Sequence, residues 1–390
     1  MSALAAQRKI SGNFEAMRGY QAMTDWFKII VNDEMVSEKL RTFLDIAYTE
    51  ERALLSEWIS EFVVKDGLIK TMKQFQITFH DVLWEIYLNK VFLVSKFMIV
   101  DGRASPDFDL LKNGTHTFVE AVIANIGLES RKESDRNISD VYAENNYPDI
   151  LDESIVRISN AIGFKLEIYA KKYQDVVKES PFVVAVGDFG QVNYGQSYYL
   201  PMLGVLYNAY FDPSDKRDLL IHCEDNYGRE YKYLDRITKY NGSELDLGLF
   251  SSDKNSHISA IMYSCTLTLG KLTSLSKNHS PFDKCIKIVF EVYMGELHIA
   301  RFSGSNSDES IADGLFVFHN PFAKVPLDED SINAEGVTHV FFDAENSEIT
   351  IKASSARMLK RRFVAMKDMA PTLIPGFHEM EWLPVIPNGR

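Results

Sequence analysis

Ser105-Pro106-Asp107-Phe108-Asp109-Leu110-Leu111-Lys112-Asn113-Gly114-Thr115-His116-Thr117-Phe118-Val119-Glu120-Ala121 is the stretch on which the fold turns. Two apolar-rich runs flank an Asn-Gly pair, the strongest short-range signal for a two-residue type I′ hairpin. With Asn113 and Gly114 at the turn, Lys112 faces Thr115, Leu110 faces Thr117 and Asp107 faces Glu120. Directly opposed residues on one face have Cβ atoms roughly 4.5–5.5 Å apart. Two carboxylates held that close repel unless a cation sits between them. A divalent ion such as Mg²⁺ or Mn²⁺, bound through carboxylates and water, is the expected occupant. His116 shares the Glu120 face by register but lies nearer the turn, where exposure is expected rather than ligation.

Upstream of the hairpin the chain reads as helical. The first 75 or so residues are poor in Gly and Pro and carry helical periodicity, as in Thr24 to Ala47 and Glu50 to Val64. Thr78 to Phe97 is a long, strongly apolar helix. Downstream, Gly127 to Pro148 is polar and reads as a loop. Leu151 to Tyr173 reads as a helix, and Pro181-Phe182-Val183-Val184-Ala185-Val186 as a buried strand. Helix, hairpin, helix, strand is the signature of a mixed sheet with helices packed on it.

Beyond Gly190 the signals change to short β runs: Asp218 to Cys223, Ile286 to Tyr293, Gly314 to Phe318, Val337 to Phe342 and Ser347 to Ile351. Asn241-Gly242 and Met294-Gly295 read as turns, and Ser354 to Met366 as a closing helix. The expected class is α/β (α+β), a mixed sheet flanked by helices. The expected division is a helical region over 1–75, a core over 76–200 and an α+β region over 201–390 that is either separate or continuous with the core.

Composition narrows the functional classes. The chain has 390 residues, 46% of them apolar, enough for a large core. No charge-free apolar run reaches membrane-spanning length. The first residues lack the basic-then-apolar pattern of a signal peptide. Cys223, Cys265 and Cys285 lie far apart, which suits a reducing, cytoplasmic setting and gives no zinc motif. A net charge of −13 argues against a protein that coats nucleic acid generally. It leaves room for an enzyme that meets a phosphate backbone through a local basic patch and a metal.

Glu85 sits in Trp84-Glu85-Ile86-Tyr87-Leu88 on the helix before the hairpin, followed by Pro106-Asp107-Phe108 and Phe118-Val119-Glu120-Ala121. This order resembles the restriction-endonuclease-like PD-(D/E)xK nucleases, and within them an uncharacterised bacterial subgroup. Lys171-Lys172-Tyr173, the run from Pro181 to Val186, Asn320-Pro321-Phe322-Ala323 and Pro326-Leu327 fit the same subgroup, so the resemblance extends as islands from Phe79 to Leu327. It implies a restriction-endonuclease-like core and metal-dependent hydrolysis of phosphodiester bonds in nucleic acid, with DNA the expected substrate and defence or DNA processing the expected setting. Asp107 and Glu120 would be the Mg²⁺ (or Mn²⁺) ligands, with Glu85 adding a third carboxylate. Carboxylate-rich sites suit hard, oxygen-preferring ions.

One departure matters. The family's lysine stands two residues after the Glu, and here that position is Val122. Either the lysine has migrated to a neighbouring helix, or the chain is a catalytically inactive relative that only binds, within a defence or mobile-element system. The helix from Leu151 to Tyr173 offers a replacement. Its apolar stripe runs through Leu151, Ile155, Ile158, Ile162 and Tyr169, and Lys165 falls on it, with Lys172 one heptad later. A lysine on a core-facing stripe calls for a partner.

Other groupings carry less. Ile221-His222-Cys223-Glu224-Asp225 reads as a strand end rather than a nucleophile pair. Gly187-Asp188-Phe189-Gly190 lacks every other kinase element. Lys352, Arg357, Lys360, Arg361, Arg362 and Lys367 form the strongest basic cluster, a candidate for backbone phosphate contact.

Overall fold

A computed structural model describes residues 24–100, 106–127, 130–131, 135, 147–191, 198–211, 221–225, 230–276, 284–291, 297–303, 307, 309–353 and 357–366. Most of the polar segment after Gly127, the Met294-Gly295 turn and Lys367 lie outside them.

The Asn-Gly turn forms as its chemistry requires. Asn113 and Gly114 take φ of +53° and +81°, the left-handed pair of a type I′ turn. Strand β2 (Phe108–Lys112) therefore pairs antiparallel with β3 (Thr115–Asn125), with Lys112 opposite Thr115 and Leu110 opposite Thr117. A short β1 (Met98–Ile99) flanks β2, and β4 (Phe182–Phe189) runs parallel to β3 on its other side. The sheet continues through the second half of the chain. β10 (Ala260–Ser264) lies parallel to β4, and β13 (Phe316–His319), β14 (Thr338–Asp343) and β15 (Glu348–Ala353) follow it in order. β5 (Ala209–Tyr210), β6 (Ile221–Asp225) and β7 (Glu230–Tyr233) bring the sheet to eleven strands, so much of the chain beyond 200 extends the same sheet as the hairpin, while β8 (Arg236–Thr238) and β9 (Glu244–Asp246) pair with each other.

Helices cover both faces, and the alternation along each strand sorts the core into two layers. Taking the helices in chain order, α1 is Glu38–Phe43, α2 Thr49–Glu61, α3 Leu68–Ile77 and α4 Phe79–Val94. Val119, Ala121, Val183, Ala185 and Met262 share one core cluster with Trp84, Ile86 and Leu88 of α4. Phe118, Val184, Val186, Ile261 and Phe318 share the other with α5 (Tyr147–Lys172), whose Leu151, Ile155, Ile158 and Ile162 are buried as their spacing predicts. Each such side chain contributes roughly 1.5–3 kcal/mol on burial. Trp84 adds a direct tie, its Nε1 donating to the Ala185 carbonyl across 3.0 Å.

The N-terminal helices are part of this body. Glu51 of α2 pairs with Lys284 and accepts from Thr273 Oγ1 at 2.7 Å, and both partners come from the second half of the chain. A second buried pair joins Lys271 to Glu309 at 2.9 Å. Among the described residues no helix is long and apolar enough to cross a membrane.

Two local expectations are corrected. Thr24 to Ala47 is not one helix: it holds α1 between two 3-10 turns, Asp33–Met35 and Ile46–Tyr48. Ser37 and Asp45 break it, because their side chains accept from Leu40 N–H and Ala47 N–H and cap new turns. Ser354 to Met366 is not a helix either. Arg357–Met366 is strand β16, paired along β11 (Lys284–Glu291) in a separate three-stranded sheet completed by β12 (Leu297–Ser303). Two irregularities in that ladder skip Leu359 and Arg362, which breaks the period-two pattern that would have marked a strand.

Candidate active site

The site forms where the hairpin opens. The β2–β3 ladder ends at the pair Phe108–Val119, while β3 runs on to Asn125 beside β4. Just past that last pair, Asp107 stands in for the missing strand. Its Oδ2 accepts from Ala121 N–H at 2.7 Å, and its own N–H donates to Glu120 Oε2 at 3.2 Å. These reciprocal bonds fix both carboxylates on the open edge of β3.

Lys165 reaches in from α5. Its Nζ lies 2.7 Å from Glu120 Oε1 and 3.7 Å from Asp107 Oδ2, and its side chain is 14% exposed. Tyr173, eight residues on and just past the end of that helix, directs its hydroxyl at Glu120 Oε1 from 3.5 Å. The apolar stripe that carries Ile158 and Ile162 into the core thus also carries Lys165, Tyr169 and Tyr173. Lys172 is exposed at the helix end and makes no hydrogen bond or ion pair with these carboxylates. Val122 is half-buried on β3 beside Glu120.

Glu85 and Asp81 enter from α4, one turn apart on a helix whose other positions are mostly buried. Burial, and then the charge of Asp107, pushes the Glu85 carboxyl up to about 8. Asp81 is raised chiefly by burial. Glu120 is raised by burial and by Asp107, against the pull of Lys165. For Lys165, burial works against the ammonium, but Asp107, Glu120 and Tyr173 together outweigh it and leave the pKa above its ordinary value. The charge of Lys165 is felt by all four carboxylates. Among the described residues the cluster thus gathers four carboxylates about Lys165.

Among the described residues, no group of three or more His, Cys, Asp or Glu side chains stands gathered as a metal cage. The donor chemistry nevertheless fits a hard divalent ion: carboxylate oxygens, in excess of the local positive charge, on an open strand edge. Glu85 makes no hydrogen bond or ion pair with the described residues, which leaves both its oxygens available.

The remaining sequence candidates lie elsewhere. His116 is half-exposed and holds Asp109 through its Nδ1 at 2.6 Å, near the turn and away from Glu120. Asp188 of the Asp-Phe-Gly string is buried at the end of β4, bonded by Tyr263 Oη and Gly190 N–H at 2.9 Å each. Lys352 pairs with Glu329 at 2.8 Å, and Arg357 to Arg362 lie on β16. The sequence reading missed Asp81 and Tyr173. Each carried a signal, Asp81 four residues before Glu85 and Tyr173 eight after Lys165, both spacings that share a helix face.

No family model, no curated protein and no solved structure matches this chain.

Proposed function

We propose that this protein is a metal-dependent nuclease of the restriction-endonuclease-like kind, acting on nucleic acid and most readily on DNA. The observation that carries the reading is the ammonium of Lys165 on Glu120 and Asp107. It supplies, from a helix, the cation that Val122 cannot supply from the strand. The order α4, β1-β2-β3, α5, β4 on a mixed sheet agrees with the fold that the resemblance implies.

In this reading Asp107 and Glu120 would hold Mg²⁺ or Mn²⁺, and Glu85 would add a carboxylate from α4. The ion, when bound, polarises the phosphate and lowers the pKa of the attacking water. The chain's own residues do the positioning. Asp107 is set by Ala121 N–H, and Glu120 by Asp107 N–H. Lys165, charged at neutral pH, offers its donors to the non-bridging phosphate oxygens, where charge builds as the bond to phosphorus forms. Tyr173 keeps the Glu120 carboxylate in place.

Nicking of supercoiled plasmid with Mg²⁺ or Mn²⁺ tests this. Asp107→Asn, Glu120→Gln and Lys165→Met should each lower the rate by at least about 100-fold, the scale on which a single charge-stabilising group acts. Adding Val122→Lys to Lys165→Met should restore part of the activity by placing an ammonium on the Glu120 face. Cleavage that survives all three single substitutions would place the activity elsewhere. An absence of cleavage with either metal would favour a binding module on the same scaffold.

A further inference from the structure

A second feature adjoins the carboxylate cluster. Between α5 and the segment 253–257 lies an open cleft of about 600 Å³. Tyr169, one turn from Lys165 and one turn from Tyr173, forms its wall, so the cleft borders the residues that touch Glu120. The ring of Tyr169 stands between Phe182, centroids 4.7 Å apart, and His257, centroids 4.5 Å apart at 23°. His257 is the outermost of the three rings and lines the cleft. Burial and the nearby Lys324 charge pull its pKa down, so the ring is neutral at pH 7.

Two lysines, Lys254 and Lys324, line the same cleft. Both are exposed, and among the described residues neither ammonium has an ion pair or hydrogen bond. Of the two acids there, Glu167 is paired with Lys171 at 3.7 Å, which leaves Asp253 alone against the two lysines. The backbone that presents these groups is braced. Asn320 Nδ2 donates to the carbonyls of Asn255 and Ile258, at 3.1 and 2.8 Å. Lys324 N–H donates to Ser256 O at 2.7 Å. The Asn320-Pro321-Phe322-Ala323 stretch is thus the brace of the cleft.

We infer that this cleft is a nucleotide subsite, which takes one unpaired nucleotide of a polynucleotide strand, its base stacked on His257 and its phosphate between Lys254 and Lys324. The inference rests on the nuclease reading for its biological sense. The chemistry is independent of it: an aromatic stack that reaches the cleft, beside two ammonium groups without an ion pair among the described residues, is what a base and a phosphate require.

Binding is measured with chelator present, so no cleavage intervenes, by fluorescence anisotropy of a labelled oligothymidylate about 12 nucleotides long. His257→Ala should weaken binding by about fivefold or more, and an abasic oligonucleotide of the same length should bind His257→Ala and wild type alike. Removing Lys254 and Lys324 together should lower the salt dependence by roughly 0.7 per lysine. Lys73→Ala, on the surface of α3, should bind as wild type does. Equal affinity of wild type and the cleft variants, no wild-type binding, or the same loss on the abasic strand for His257→Ala would each overturn the subsite. Plasmid nicking reports separately on the carboxylate cluster. A protein that never cleaves but loses oligonucleotide binding with His257 keeps the subsite and loses the nuclease reading. One that cleaves normally while His257→Ala binds unchanged does the reverse.

Discussion

Replacing Lys165 by Met tests the cluster without any assumption about catalysis. The ammonium lies 2.7 Å from Glu120 and 3.7 Å from Asp107. At an effective dielectric constant near 20, those contacts carry a gross attraction of roughly 4–6 kcal/mol each. Desolvation of the charges and the repulsion between the carboxylates offset most of that. Removing one partner of a buried pair usually costs about 3–5 kcal/mol, because the other charge stays behind. Asp107 is 30% exposed, so water reaches this cluster. The lower end, about 3 kcal/mol, is therefore the expected loss for Lys165→Met. Glu120→Gln removes one of the repelling charges and leaves Lys165 on Asp107, so about 1 kcal/mol is expected. The double variant should fall short of the sum by about 2 kcal/mol, since the Glu120 charge that Lys165→Met alone leaves unpaired is gone when both changes are made. Urea denaturation followed by tryptophan fluorescence, with chelator at neutral pH, gives all three values. A loss below about 1 kcal/mol for Lys165→Met, the scale of an exposed pair, would refute the role assigned to the lysine. An additive double variant would do the same.

Two further outcomes are expected. His319 lies buried with its Nε2 2.9 Å from His339 Nδ1, and burial, then the His339 charge, pushes its pKa down to about 3. The unfolded chain takes up a proton near pH 6.5 and the folded chain does not, so stability should fall as the pH drops below about 6.5, by about 2 kcal/mol at pH 5; a His319→Leu variant that shows the same slope in urea titrations would disprove this. Gly114→Val places a β-branched residue at φ +81° in the hairpin turn and should cost about 1–2 kcal/mol in thermal unfolding, whereas Asn113→Asp, which tolerates the same region, should cost little; equal losses would count against the turn.

What the sequence made legible follows from which interactions are local. The hairpin, the register and the meeting of Asp107 with Glu120 rest on two residues, Asn113 and Gly114, whose conformational preference needs no distant partner. The stripe of α5 likewise placed Lys165 toward the sheet, since one helix face has to bury Ile158 and Ile162. Lys172 lies one heptad after Lys165, yet at the helix end it is Tyr173 that turns toward Glu120, while Lys172 is exposed. The failures are non-local. β16 is made a strand by β11, some seventy residues earlier, and its skipped residues disguise its period. β10 was not foreseen: Ala260-Ile261-Met262-Tyr263-Ser264 is a short, uniformly buried run without alternation, because parallel neighbours and helices cover both its faces. The His257 cleft depends on a helix, a turn and a brace from three parts of the chain, and none of them carries a motif of its own.

The bonds made by Glu51 and Tyr87 have a consequence for synthesis. Glu51 meets Thr273 and Lys284 across 222 and 233 residues, and Tyr87 Oη donates to the Ile311 carbonyl across 224. When the N-terminal helices leave the ribosome, none of these partners exists. At roughly 5–20 residues per second, the nascent chain waits on the order of ten seconds or more before Thr273 and Lys284 are made. Throughout that time Trp58, Phe75 and Trp84 have no finished sheet to cover them. The early helices are then a hydrophobic surface in search of its other half, and a chain interrupted near residue 200 should be captured by chaperones rather than persist as a folded fragment.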